Sequence, residues 1–205
     1  MLKRLMFVLA LALCPLGALA QVNVVPQVGV NTANLRYPTY GAISIGLVPA
    51  AAATDIACLQ GSASKVVTLN RLLISGTAGT AITTPFVILK RVLLDSGGTP
   101  ATSTALPVAG KYDPQFGTAT ATLNAWTANP TINDASPTYI AAPAVTLPVT
   151  ASSGTTPTEV NFGTWSDAYN AGIVLRGATQ AVCINLNAAT VTSGVLAITF
   201  EWVEQ

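Results

Sequence analysis

Among its 205 residues the sequence contains no histidine at all. That removes Ser-His and Cys-His nucleophile couples, and with them every imidazole metal site. Charge is nearly as scarce, since only 8% of residues are charged against a usual quarter. No basic block steers the chain to DNA, RNA or an anionic membrane, so no nucleic-acid partner is expected. Long apolar runs are missing too. The run from Leu5 to Leu13 falls short of the about 20 residues a spanning helix needs, and no later stretch qualifies. Both methionines, Met1 and Met6, fall in the first twenty residues. The remainder therefore carries no easily oxidised thioether.

Those first twenty residues hold the tripartite pattern of an export signal. Met1-Leu2-Lys3-Arg4 is a short basic start, Leu5–Leu13 an apolar stretch, and Pro15–Gly17 a break. Ala18-Leu19-Ala20 supplies the small-x-small pattern that signal peptidase reads, which places the cut before Gln21. Cys14 does not fit a lipid-attachment site, because Leu13 stands where a small residue is wanted and Pro15 follows. The pattern predicts a secreted, periplasmic or cell-surface protein with no membrane span after cleavage.

Removing residues 1–20 from 205 leaves 185 residues, enough for one domain with a substantial core. Lys3 and Arg4 go with them, so nine basic residues become seven against eight acidic ones. The net charge turns from +1 to −1. Solubility then rests on uncharged polar groups, chiefly 27 threonines. A surface so poor in charge suits a protein that packs against copies of itself. Two cysteines remain, Cys58 and Cys183. In an oxidising compartment an even pair suggests one disulfide, closing a loop of about 126 residues and worth about 5 kcal/mol in the chain-entropy model. The alternative is two free, half-buried thiols.

Periodicity predicts strands throughout, with Gly and Pro as punctuation and no apolar pattern of helical spacing. Residues 21–40, carrying Pro26 and Pro38, read as an extended arm. Strands are expected at Gly41–Val48, Asp55–Gln60, Lys65–Ser75, Pro85–Leu94 and Thr118–Thr127. Further strands are expected near Tyr139–Leu147 and at Glu159–Trp165, Gly172–Arg176, Ala181–Asn187 and Val195–Trp202. Pro85–Leu94 is nearly all apolar, as suits a strand buried on both faces, and Lys90-Arg91 sends one cation to each side. In Ala181–Asn187 the apolar face is Val182, Ile184 and Leu186, which puts Cys183 on the opposite face with Asn185. The reading is an all-β domain over residues 41–205, a single β-sandwich of about nine or ten strands, with a jelly roll as the expected variant.

Chemistry is hard to find in such a chain. Ala42-Ile43-Ser44-Ile45-Gly46 lacks the first glycine of a nucleophile elbow, and Gly76-Thr77-Ala78-Gly79 lacks the Lys of a phosphate loop. Asp95, Asp113, Asp134 and Asp167 sit beside turn residues. Glu201 alternates outward and Glu204 falls at the chain's frayed end. Asp55 and Glu159 are left, each suited to pairing with a base or capping a strand. No Asp-x-Asp cluster supports calcium. These absences predict a non-enzyme without cofactor or metal. Tyr37, Tyr40, Tyr112, Tyr139, Tyr169, Trp126 and Trp165 lie near loops or on polar faces. Trp126 and Trp165 are the candidate ligand-facing aromatics of a carbohydrate-binding module, the alternative being that they close the ends of the core.

Several stretches carry a family likeness. They are Thr54-Asp55-Ile56 running to Gly61-Ser62-Ala63-Ser64-Lys65, Leu73-Ile74-Ser75-Gly76-Thr77-Ala78, and Lys90-Arg91 followed by Asp95-Ser96-Gly97-Gly98-Thr99. Trp126-Thr127-Ala128-Asn129-Pro130, Val174-Leu175-Arg176-Gly177, Ile184-Asn185-Leu186-Asn187 and Phe200-Glu201-Trp202 continue the series. Over about residues 42–205 the chain resembles small β-rich proteins of tailed phages and related bacterial regions, usually described as uncharacterised or virion structural proteins. The resemblance implies a β-sandwich that works by self-association and not by catalysis. The expected function is an exported structural or surface-associated assembly unit, a homo-oligomer with a cell-surface or glycan partner. A phage virion decoration or fibre-type protein is the alternative, and virion proteins need no signal peptide.

Overall fold

Every regular element among the described residues is a β-strand, as the Thr- and Val-rich alternation dictates. A computed structural model of the chain describes residues 39–101, 109–150, 156–163 and 172–205. Residues 1–38, where the export signal and most of the extended arm were expected, and Trp165 lie outside the described residues. In chain order the strands are β1 (Thr39–Leu47), β2 (Asp55–Gln60), β3 (Val66–Thr77), β4 (Ile82–Pro85) and β5 (Val87–Arg91). Then come β6 (Thr99–Pro100), β7 (Gly110–Lys111), β8 (Thr122–Ala128), β9 (Thr138–Ala141) and β10 (Ala144–Leu147). The series closes with β11 (Thr158–Asn161), β12 (Ile173–Arg176), β13 (Ala181–Asn185) and β14 (Val195–Glu204).

They form a β-sandwich of antiparallel sheets. The first sheet runs β11-β3-β14-β1-β7, with β12 also paired to the long β3; the second runs β6-β8-β2-β13-β5-β9. A small β10-β4 pair stands apart. Inward residues of the two larger sheets make one core. Leu196, Ile198, Phe200 and Trp202 alternate along β14 and meet Leu59, Ile88, Val182 and Ile184 from the second sheet. Each such large side chain, once fully buried, contributes about 1.5–3 kcal/mol. Tyr40 stacks on Trp202 with ring centroids 5.9 Å apart, closing the core end with an aromatic pair.

Several expected strands are shorter than their sequence pattern, and for two of them the contacts give the reason. The apolar run at Pro85–Leu94 leaves the sheet after Arg91, and Val92 and Leu93 are exposed. The reason is local: the Val92 N–H donates to the Asp134 carboxylate and not to a neighbouring strand. Likewise regular pairing in Thr118–Thr127 begins only at Thr122. The backbone N–H groups of Thr120 and Ala121 are taken by the Glu204 carboxylate. In both places a side-chain acceptor outcompetes the ladder for backbone donors.

Candidate functional site

The outer face of the second sheet carries the most concentrated chemistry among the described residues. It arises from a bulge. Strand β13 pairs β2 as Ile184↔Ala57 and then Asn185↔Asp55, so Ile56 is the extra residue. Strict alternation would put Asp55 and Cys58 on opposite faces. The bulge turns Asp55 outward onto the side of Cys58, a common use of this irregularity. Arg91 arrives on the same face at the end of β5, two strands away.

Chain segment 92–98 leaves β5, joins β6 beside β8, and so crosses over β13 and β2. Its cover makes a second small apolar cluster of Cys58, Cys183, Ala181 and Trp126, with Leu94 packed against it. Ser96 and Thr131 exchange backbone hydrogen bonds, and the Asn133 amide donates to the Leu94 carbonyl. These contacts pin the cover to the 129–137 segment. Gly98 adopts a φ of +77°, and a Cβ there would lie 2.9 Å from the Trp126 ring. Glycine is required on both counts.

Beneath the cover lies a buried charge cluster. Cys58 and Cys183 face each other directly across β2 and β13, with Cα atoms 4.0 Å apart and sulfurs at the bonding distance of 2.03 Å. The Asp55 and Asp95 carboxylates approach the Cys58 sulfur at 4.0 and 3.9 Å. Arg91 grips Asp55 through Nε and, at 2.9 Å, through Nη2, and donates Nη1 to the Asp134 carbonyl. Asn185 also donates to Asp55. One guanidinium thus faces two acids, and its fork is spent on Asp55. The Asp95 Oδ1 atom lies 3.8 Å from Arg91 Nε, and it is buried without a hydrogen-bond partner. Burial and then the neighbouring Asp55 carboxylate push the Asp95 acid up to about 7, against the opposing pull of Arg91 and the Asn133 backbone. Asp134 is held below the usual carboxylate range, chiefly by the Val92 N–H and further by Ser136.

Beside this cluster opens a cleft of about 300 Å³, lined by Arg91, Asp134, Asn185, Asn187 and Tyr139 among others. Tyr139 is 75% exposed at its edge. Trp126, by contrast, is 9% exposed and packs in the disulfide cluster, so it presents no open ring face to a ligand. That differs from the ligand-facing expectation, because the 92–98 cover lies over this face, with Leu94 packed on the cluster and Gly98 close against the Trp126 ring. Trp165 lies outside the described residues.

The remaining acids are spread over the first sheet. Arg71 forms two parallel 2.7 Å hydrogen bonds to Glu201 and lies 3.5 Å from Glu159. Burial alone would raise the Glu201 acid, but the Arg71 and Tyr112 hydrogen bonds hold it low. Burial and then Glu201 raise the Tyr112 phenol to about 12. Glu204 is fully buried and not at a frayed end. Arg91, Asp134 and Glu204 carry dense polar contacts and Asp95 is buried beside them, and local turn chemistry alone does not point to any of the four. For Glu204 a signal did exist, because it shares the inward parity of Phe200 and Trp202. For Arg91 it was the cation interrupting an apolar run.

Comparison with protein-family models, with curated proteins and with solved structures finds no match to the chain. Among the described residues no helix is long and apolar enough to cross a membrane.

Proposed function

We propose that the protein is an exported, non-enzymatic assembly unit, structural or surface-associated, that self-associates. The observation that carries this reading is an uncharged apolar strip on the outer face of the first sheet. Ile43, Ile45 and Val195 are 42%, 53% and 41% exposed on β1 and β14. Ile45 stands opposite Ala197 and Ile43 opposite Thr199. Contiguous exposed apolar surface rimmed by polar groups is a mark of protein contact surfaces. The paired charges of that face, Arg71 with Glu201 and Glu159, gather further along the strands and leave the strip neutral. Light scattering on the protein lacking residues 1–20 tests the reading. A concentration-dependent rise in mass to a defined oligomer supports it, and a strict monomer at high concentration overturns it.

A second reading, a virion decoration or fibre-type protein, draws on strand order. Setting aside β4, β6, β7, β8 and β10 and numbering the rest in chain order, with β11 and β12 as one, the two sheets run 6-3-8-1 and 2-7-4-5. That order supports the jelly-roll form of the sandwich, an architecture used by viral capsid and lectin domains. The link is one of fold and not of site. Recovery of the chain on particles with its Met1 end intact would favour this reading, while an N-terminal Gln21 in an exported fraction would favour the first.

A further inference from the structure

Asp95, whose Oδ1 is buried without a hydrogen-bond partner, belongs to a four-residue set with metal-ligand chemistry. The sulfurs of Cys58 and Cys183 and one carboxylate oxygen each from Asp55 and Asp95 all lie within 4.8 Å of one another. Both carboxylate side chains are fully buried, as are both cysteines. Arg91 balances one acid through its fork; Asp95 meets the group through Oδ2, 3.9 Å from the Cys58 sulfur, while its Oδ1 stays buried with no donor. A buried acceptor left this way is costly.

We propose that the disulfide is one of two closures of this site, and that the reduced chain instead binds one thiophilic divalent cation, zinc by its chemistry. Two thiolates and two carboxylates are a four-ligand set of the tetrahedral kind that zinc takes. The thiolates disfavour calcium and magnesium, which want oxygen ligands only. Zinc–sulfur bonds of about 2.3 Å and zinc–oxygen bonds of about 2.0–2.2 Å fit inside the observed envelope once the sulfurs part by side-chain rotation. Charge decides the rest. Without metal the thiols keep their protons; binding frees them, and the four anionic ligands with Arg91, −3 on their own, fall to −1 with the divalent cation in place. Arg91 and Asn185 stay on Asp55 and fix its orientation, as outer partners of metal ligands do.

The interconversion balances. A phosphine reductant supplies two electrons to the S–S bond and takes oxygen from one water, leaving as phosphine oxide. The two sulfurs gain the water's protons as thiols, and the incoming metal displaces those protons.

The test is a titration of the full chain, reduced with a water-soluble phosphine under argon, with Co²⁺ and then Zn²⁺. One equivalent of cobalt should bring tetrahedral d–d absorption and a thiolate charge-transfer band, both abolished by zinc. The oxidised chain should give neither. Asp95→Asn keeps both thiols and the shape of the side chain, yet should weaken cobalt binding by about tenfold or more. Far-UV circular dichroism runs alongside, and Cys58→Ala/Cys183→Ala serves as the thiol-free control. A reduced chain without the cobalt spectrum overturns the proposal. So does equal binding by Asp95→Asn, or by the thiol-free control. If reduction melts the β signal, zinc must restore it; failure to do so also overturns the site.

Discussion

The Glu204 carboxylate accepts three hydrogen bonds from Thr120, two from its backbone N–H at 2.9 and 3.1 Å and one from its hydroxyl at 2.8 Å. It also accepts from the Ala121 N–H and the Trp202 indole. This one side chain, at the inward end of β14, ties the first sheet to the segment that enters β8 of the second. Glu204→Gln replaces one acceptor oxygen by a donor facing buried N–H groups. The expected cost is about 2–4 kcal/mol, read as a lower urea midpoint with unchanged slope. A midpoint within experimental error of the wild type would show that water replaces the carboxylate there.

Asp55 and Asp95 compete for one guanidinium, so their substitutions should not add. Removing the Asp55 charge leaves Arg91 free to turn to Asp95, which then ionises and takes over as its partner. Asp55→Asn alone should therefore cost about 1–3 kcal/mol, and Asp95→Asn close to nothing. The double substitution strands a buried cation and should cost about 3–5 kcal/mol. Urea unfolding of the four proteins at one pH gives the coupling directly. Simple additivity would mean that Arg91 does not switch partner.

Asp134 sets the acid response of the 129–137 segment. Its folded-state acid is held below the ordinary range by the Val92 and Ser136 N–H groups. Its contribution is therefore complete above its unfolded value near pH 4 and fades as pH falls through the lower folded value. Asp134→Asn should destabilise by about 1–2 kcal/mol at pH 6, with the gap to wild type narrowing below pH 4. Urea midpoints taken from pH 6 to pH 2.5 measure it. A gap that stays constant across that range would assign the effect to packing instead of charge.

The strands were legible because their signals are local. Leu196, Ile198, Phe200 and Trp202 alternate in sequence as they do in the core, and Val182 and Ile184 likewise predict which way Cys183 faces. The polar cluster was not legible, because three non-local events assemble it. The Ile56 bulge reverses the parity of Asp55, the 92–98 segment folds back over β2, and Asp134 arrives from the loop after β8. Asp95 beside Ser96-Gly97-Gly98 has the composition of a solvated turn, and only the cover it belongs to makes it buried. Trp126 could not be decided from sequence for the same reason: a tryptophan on the polar face of a strand looks available until a neighbouring loop lies over it.

The exposed strip of β1 and β14 gives the sharpest handle on self-association. Ile45 is half exposed on the outer face, and its cross-strand partner is Ala197. A lysine there meets no buried group, so the cost to folding should stay within about 0.5–1 kcal/mol. Placed in a neutral contact between two copies, the same lysine must lose its water without a partner. Ile43→Lys should act alike, and the pair together should weaken dimerisation or higher assembly by at least about tenfold, since each tenfold step is 1.4 kcal/mol. Lys111→Ala, on the edge strand β7 opposite Tyr40 and so further along β1 than Ile43 and Ile45, serves as the control. Sedimentation of the four variants against wild type reads the effect. If Ile43→Lys and Ile45→Lys leave the oligomer intact while thermal unfolding confirms native structure, the assembly contact lies on another face.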